Sequence, residues 1–468
     1  MRGTDSRRLA VEVLLKVDLQ SAYANLALAA AFNRKQLSER DRAFVTALVQ
    51  GVVRHSAELD HVLTQLTSRP IDKLAAPLKA VLRTALFQLI HMKNIPVSAV
   101  LNTSTQVARA TGHEGSAKFA TAVLRRYVSS APDAQSQPEE NLVGEEALGV
   151  KYTMPEWLIS RWLQRFGPEE TRRLLEYSLS VPGLTLRTCQ LSVRPDALQQ
   201  ILESKGMKIE RGRLVPGCLN IIKRGKLTGP IAKIPGYAEG LFSVQDEAAA
   251  LVSMIVAPQT GWAIVDLCAA PGGKSIHLAE LLGNTGRITA VDIHESRLHL
   301  LPKERRRLGI TNIETIAADG RSFTPAYHVD AVLVDAPCTG TGVINRRSDL
   351  RQRRQAPDVT ALVQTQRELL ENAAKILKPG GILVYATCSI EREENQENII
   401  WFLDKHPEFK PQSLEGFLPD EIISQWSGPE ANSQWWQEAH AEMSNGMLQL
   451  LPSRHGYSGF FISRLKKE

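Results

Sequence analysis

Apolar positions over residues 5–128 recur at three- and four-residue intervals. Leu9, Val13, Leu14 and Val17 share one stripe, as do Phe44, Leu48 and Val52 and, further on, Leu82, Leu86, Leu89 and Ile90. This is the spacing of amphipathic helices packed on a common core. Gly51 lies within one of these segments, and Pro70, Pro77 and Pro96 punctuate the run. Strand signals are missing, so the pattern predicts an all-α domain over residues 1–130. Residues 129–150 shift to Pro, Ser, Gln and Glu, which reads as a linker over 131–150. From Lys151 the pattern is mixed: helices over 157–166, 169–180 and 197–205, a strand over 184–188, and loop and strand over 229–242. These predict a small α+β module over residues 151–240.

Residues 241–468 alternate between the two periods. Short apolar runs at 262–267, 287–291, 313–317, 329–334 and 382–386 read as buried strands. Helical spacing occupies 275–282, 295–308, 359–377 and 395–403. Such alternation predicts an α/β domain of Rossmann-like, doubly wound type with its site at the carboxyl ends of the strands. A final strand over 459–465 is expected to run antiparallel after 447–451.

Charge adds a partner to this picture. The 468 residues carry a net charge of +6, but residues 1–130 hold 18 Lys and Arg against 9 Asp and Glu, which is +9 and leaves −3 for the rest. Arg7, Arg8, Arg34, Lys35, Arg40, Arg42, Arg54, Arg125 and Arg126 contribute. Any one of them reads as part of a solvated helical face; the collective excess points to nucleic-acid phosphates. The five cysteines are scattered with no C-x-x-C pair, which argues against a disulfide framework or a structural zinc. Without a signal-peptide core or an apolar run of membrane length, the chain is expected to be cytoplasmic, with no membrane partner.

The chemistry gathers at predicted strand ends. Asp266-Leu267-Cys268-Ala269-Ala270-Pro271-Gly272-Gly273-Lys274 joins a strand to a helix through residues small enough for a ligand to approach backbone N–H groups. Asp292 ends the next strand about 20 residues on, where α/β nucleotide sites place a ribose-binding carboxylate. A Walker A loop would need Gly at Cys268, and the dinucleotide pattern G-x-G-x-x-G is absent. A Gly-rich connection with no ligand is the plainer alternative. Asp319 and Asp335 end further strands, and Cys338 and Cys388 follow two strands that the usual sheet order makes neighbours.

Two loop cysteines in a reduced compartment favour nucleophilic thiolates, although a small buried hydrophobe is the commoner fate of a free cysteine. A zinc deaminase would need P-C-x-x-C, but Pro337-Cys338 is followed by Thr339-Gly340-Thr341; a dithiol oxidoreductase would need close pairing. Addition of a thiolate to C6 of a pyrimidine, which makes C5 nucleophilic towards a methyl donor, fits.

Asp335-Ala336-Pro337-Cys338-Thr339-Gly340-Thr341-Gly342 and Ala386-Thr387-Cys388-Ser389, preceded by the loop from Asp266 to Lys274, closely resemble the signature of the Nop/Sun family of RNA cytosine-5 methyltransferases. The resemblance covers roughly Lys151 to the C-terminus. The helical segment resembles the domain of the antitermination factor NusB, an RNA binder. The combination resembles the bacterial Sun/Fmu branch, which methylates one cytosine of small-subunit (16S) ribosomal RNA. It implies S-adenosylmethionine at Cys268, Ala269, Ala270, Pro271, Gly272, Gly273 and Lys274, with Asp292 on the ribose hydroxyls and Asp319 near the adenine. It further implies that Asp335 hydrogen-bonds the target cytosine, Cys388 attacks C6 and Cys338 helps to break the adduct. A protonated Asp335 could donate to N3 as charge develops there. The expected partner is 16S ribosomal RNA outside the fully assembled subunit, and the expected state a monomer.

The chain departs from the family where Asn345 and Ser348-Asp349 replace an Arg and a Pro-Asp pair, and where Cys189 replaces the Asn of Arg-x-Asn. Arg346 and Arg347 are candidates to replace the basic contact. A non-catalytic RNA-binding or assembly factor on the same fold is the alternative that the intact Cys338 and Cys388 disfavour.

Overall fold

The computed structural model describes residues 3–20, 22–130, 144–225, 229–427 and 433–468. They group into two compact units, Met1–Ser180 with Ile344–Arg354, and Val181–Val343 with Gln355–Glu468.

The first unit is all helical. Gly3–Gln20, Ala24–Arg34, Glu39–Arg54, Ser56–Leu66, Ala76–His91, Val97–Thr111 and Glu114–Ser129 follow one another. Leu9, Leu14, Leu48, Val52, Leu82 and Leu86, picked out by their spacing, are all buried in one core. Pro77 stands in the first turn of Ala76–His91 and Pro96 just before Val97–Thr111, where their missing N–H costs nothing. Gly51 has a packing reason: a Cβ there would lie 1.9 Å from Phe87 Cζ. Only glycine lets Glu39–Arg54 receive that ring.

The expected linker is only partly open to comparison, because residues 131–143 lie outside the described residues. Its end belongs to a helix, Glu145–Tyr152, whose first turn holds Glu145 and Glu146, a placement the helix dipole favours. The helices expected over 157–166 and 169–180 are both present within Glu156–Leu179, parted where non-helical Gly167 takes φ +75° before Pro168. Both pieces group with the helical unit, whose main stretch ends at Ser180.

The second unit holds two sheets. Strands β1 (Leu184–Thr188), β2 (Lys208–Arg211), β3 (Cys218–Lys223) and β4 (Phe242–Val244) pair antiparallel in the order β2-β3-β1-β4 beside helix Pro195–Ser204. β4 pairs with β1, Leu186 opposite Val244, so this sheet runs past the expected limit at residue 240. The larger sheet contains β5 (Ala263–Asp266), β6 (Arg287–Asp292), β7 (Ile313–Ala317), β8 (Val329–Asp335), β9 (Leu377–Thr387), β10 (Phe409–Pro411), β11 (Met447–Leu450) and β12 (Phe460–Lys467). Its order is β10-β12-β9-β8-β5-β6-β7, with β11 paired to β12. The five strands from β9 to β7 are mutually parallel and β12 runs antiparallel on β9, as the sequence predicts.

The chain winds outward from β5 through β6 to β7, then returns to β8 on the other flank of β5. That reversal is a topological switch point, where the carboxyl ends of the strands leave a crevice. Ile264, Val265, Ala331, Val332, Leu333, Leu383 and Val384 are fully buried, which explains the unbroken apolar runs. The helix expected over 295–308 is divided into Glu295–Leu298 and Leu300–Arg307. Pro302 falls in the first turn of the second piece, where proline is tolerated, rather than inside a continuous helix.

Candidate active site

The switch point brings together most of the residues expected there. β5 ends at Asp266, the chain turns through Cys268, Ala269, Ala270 and Pro271, and helix Gly273–Leu281 begins. Gly272 takes φ +109°, and a Cβ on it would lie 2.5 Å from Leu301 Cγ, so the turn requires glycine. Asp292, at the end of β6, accepts from Ala270 N at 3.0 Å and from His294 N at 2.9 Å. Its carboxylate therefore organises the turn as well as facing it. Asp266 is fully buried; burial pushes its carboxyl up to about 7, against a hydrogen bond from Ser275 Oγ at 2.6 Å. Its Oδ1 is buried with no hydrogen-bond partner. Asp319 lies further out, held by Arg321 through Nε at 3.0 Å and Nη2 at 2.6 Å.

The adjacent edge carries the two thiols. β8 and β9 pair in parallel, Asp335 opposite Ala386, and Ala336 N donates to Ala386 O at 2.9 Å. Cys338 and Cys388 follow these strands, and their sulfurs lie 3.3 Å apart as free thiols. Neither is an inert core side chain: Cys388 is half-buried, and Cys338, though buried, touches it. The hydrogen bond with Cys388 and burial together push the Cys338 thiol well up.

Between the edges stands Lys274. Its Nζ lies 2.6 Å from Asp335 Oδ2 and 5.3 Å from the centre of the Phe460 ring. Burial opposes its charge, but Asp335 outweighs burial and raises its pKa. The pair engages one carboxylate oxygen of Asp335, the residue expected to meet the target cytosine.

The sequence reading missed a polar network beneath the thiols. Glu394 is fully buried and accepts from Thr339 N at 2.8 Å, Gln366 Nε2 at 3.0 Å, Ser389 Oγ at 2.5 Å and Thr339 Oγ1. Asn395 Nδ2 donates to Ser389 O at 3.0 Å, and Thr387 Oγ1 donates to Asn395 Oδ1 at 2.6 Å. The available signal was the run Glu393-Glu394-Asn395 soon after Cys388, which reads as a solvated turn until burial is known.

The departures from the family pattern each have a place. Asn345 and Ser348 are buried in the helical unit: Asn345 O accepts from Arg54 Nη2 at 3.2 Å, and Ser348 Oγ donates to Gln50 Oε1 at 3.3 Å. In the same segment Arg351 donates to Arg54 O at 2.8 Å and to Ser178 O, and burial lowers its pKa to about 9. Arg346 and Arg347 are exposed. Cys189 is buried, with its thiol pushed up by burial, so it replaces the expected Asn with core packing. Two residues earlier, within β1, Arg187 is buried against Glu280 and donates to Gln245 Oε1 at 2.5 Å.

In the helical unit Arg8, Arg34, Arg40, Arg125 and Arg126 are exposed. Arg7 is not available to a phosphate: it is buried and donates to Gln88 Oε1 at 2.7 Å. Arg42 lies 5.4 Å over the Phe32 ring.

Known proteins resemble the chain along its whole length. It matches the family described as 16S rRNA methyltransferase RsmB/F over residues 253–466, the NusB family over 4–129, and an RsmF/B-like ferredoxin-like domain over 154–228. It is 35% identical to the probable ribosomal RNA small subunit methyltransferase B of Synechocystis sp., covering 99% of each chain. It is 32% identical to the protein of the same name from Bacillus subtilis, covering 100% of each. The crystal structure of PH0851 is similar with a TM-score of 0.79 at 28% identity, over 100% of this chain and 99% of that one.

Proposed function

The chain belongs to the 16S rRNA methyltransferase RsmB/F family, and we propose that it methylates C5 of one cytosine in 16S ribosomal RNA through a covalent bond between Cys388 and C6. The observation that carries this reading is the pair of free sulfurs 3.3 Å apart at the switch point.

S-adenosylmethionine supplies an electrophilic methyl group when bound. The residues suited to hold it are Cys268 to Lys274, with Asp292 towards the ribose hydroxyls and Asp319 towards the adenine side. The fit rests on negative charge and on an unpaired acceptor. Asp266 has a buried oxygen without a donor, and Asp266, Asp292 and Asp335 all act on Cys268. Such an edge suits a cation that also carries hydroxyls.

Cys388 adds to C6, forming the S–C6 bond and moving the C5–C6 π electrons towards C5 and N3. Asp335, paired with Lys274, hydrogen-bonds the target cytosine, and the Lys274 ammonium supplies positive charge as electrons gather at N3. Once C5 carries the methyl group, Cys338, ionised for this step, takes the C5 proton. The C5–C6 double bond re-forms as the S–C6 bond breaks and Cys388 leaves as thiolate. Cys388 is the more accessible sulfur, which supports it as the attacking thiolate. The exposed arginines of the helical unit serve as phosphate contacts, and the protein acts as a monomer on RNA before subunit assembly is complete.

Bisulfite sequencing of 16S ribosomal RNA from cells with and without the protein tests the reading. One cytosine should lose its protection in the deletion strain; an unchanged pattern would contradict C5 methylation.

A further inference from the structure

We infer that Glu394 is a positioning residue for both cysteines, fixing the spacing of their sulfurs by tying together the residues that flank them. The inference rests on the covalent reading above and assigns a role to a residue that touches neither RNA nor cofactor.

All four neighbours of the two cysteines are hydrogen-bonded to Gln366, Glu394 or Asn395. Pro337 O accepts from Gln366 Nε2 at 2.9 Å, and the same Nε2 donates to Glu394 at 3.0 Å. Thr339 gives Glu394 both its N–H, at 2.8 Å, and its hydroxyl. Thr387 bonds Asn395 at 2.6 Å, and Ser389 bonds Glu394 at 2.5 Å and Asn395 at 3.0 Å. Glu394 is the one member that reaches both cysteine loops directly.

Glu394 is itself held. Its backbone carbonyl accepts from Tyr385 Oη at 2.6 Å, and Tyr385 is fully buried in β9. Four donors converge on two carboxylate oxygens that water cannot reach, which offsets part of the cost of burying the charge. Burial still holds the Glu394 carboxyl above its ordinary value. A neutral residue of similar size would leave donors unpaired and let the loops part.

The charge has a second consequence. Glu394 is among the groups that keep the Cys338 proton in place. Removing its charge while keeping its shape should let Cys338 ionise at lower pH. A purely structural strut would not move that titration.

The full-length protein, Glu394→Gln and Glu394→Ala would be compared for turnover, KM for 16S RNA, S-adenosylmethionine affinity by calorimetry, and adduct with RNA carrying 5-fluorocytosine. Glu394→Ala should lower kcat by about 100-fold, with KM and cofactor affinity within about threefold. Glu394→Gln should lose about tenfold, and the pH limb for product release should move towards acid. A kcat within threefold of wild type in Glu394→Ala would overturn the inference, as would a parallel collapse of cofactor affinity in both variants. Absence of adduct in the wild type would instead overturn the covalent reading on which the inference rests.

Discussion

Around the two cysteines, polar groups are buried and each has a specified partner: Glu394 takes four donors, Lys274 takes Asp335, and Asn395 joins Thr387 to Ser389. Along the helical unit, Arg8, Arg34, Arg40, Arg125 and Arg126 stand exposed. The first arrangement depends on the position of individual atoms, because unpaired groups in a water-excluded site are costly. The second depends on how many charges face a polyanion, because exposed charges act in high dielectric and are screened by salt. Substitutions at the sheet edge should therefore act singly, sharply and with little salt dependence. Those on the helices should act additively and fade as salt rises.

The sharpest break of this contrast is at the ion pair. Lys274→Met leaves the partly buried Asp335 without its ion-pair partner, and should cost about 3 kcal/mol of stability as well as most of the turnover. The double variant Lys274→Met with Asp335→Asn should recover stability in thermal melts but not activity. Equal stability of the single variant and wild type would show that the pair is not holding the edge together.

Asp292→Ala comes next. It removes the proposed ribose contact and two backbone hydrogen bonds at 3.0 and 2.9 Å, and should weaken S-adenosylmethionine binding by about 10- to 100-fold. Calorimetry decides it; unchanged affinity would move the pocket elsewhere.

On the helices, Arg34→Ala combined with Arg125→Ala should weaken RNA binding mildly at low salt. In the same double variant, log affinity should fall less steeply with log salt, by about 0.7 for each phosphate that is no longer neutralised. A filter-binding salt series checks this. Point variants serve better here than deletion of residues 1–130, since Arg351 would then lose its bond to Arg54 O.

The smallest effect belongs to a charge cluster inside the helical unit. Although burial pushes it up, hydrogen bonds from His55 at 2.7 Å and His91 at 3.1 Å hold the Glu58 carboxyl down at about 2. A carboxylate with a lowered folded pKa adds stability that is present above the unfolded value of 4.5 and is lost as pH falls towards about 2. Glu58→Gln should therefore flatten the decline of thermal stability between pH 5 and pH 3, by roughly 1–3 kcal/mol. An identical decline in both proteins would place the acid sensitivity elsewhere.

The contrast also explains what the sequence made legible. Strand ends announce themselves because a buried parallel strand is an apolar run that stops at a polar residue, as at Asp266, Asp292 and Asp335. The proximity of Cys338 and Cys388 followed from sheet order alone. Glu394 was not legible, because nothing in Glu-Arg-Glu-Glu-Asn marks Glu391 and Glu394 as the acids that are buried. Arg7 misled in the opposite sense: a basic residue at a helix start reads as surface, yet it is buried on Gln88. β2 escaped notice because three of its four residues are exposed and show no alternation. In each case the missing information is which neighbour a side chain meets across the fold, and periodicity within one segment does not carry it.

The central claim is the division of labour between two sulfurs, and covalent trapping tests it most directly. Wild type, Cys388→Ala and Cys338→Ala would be incubated with 16S RNA and cofactor, then run on denaturing gels. Cys388→Ala should form no adduct and no product, whereas Cys338→Ala should accumulate an adduct that survives denaturation, because attack proceeds and release does not. Adduct in Cys388→Ala with none in Cys338→Ala would reverse the roles, and methylation retained in both variants without adduct would contradict the covalent mechanism.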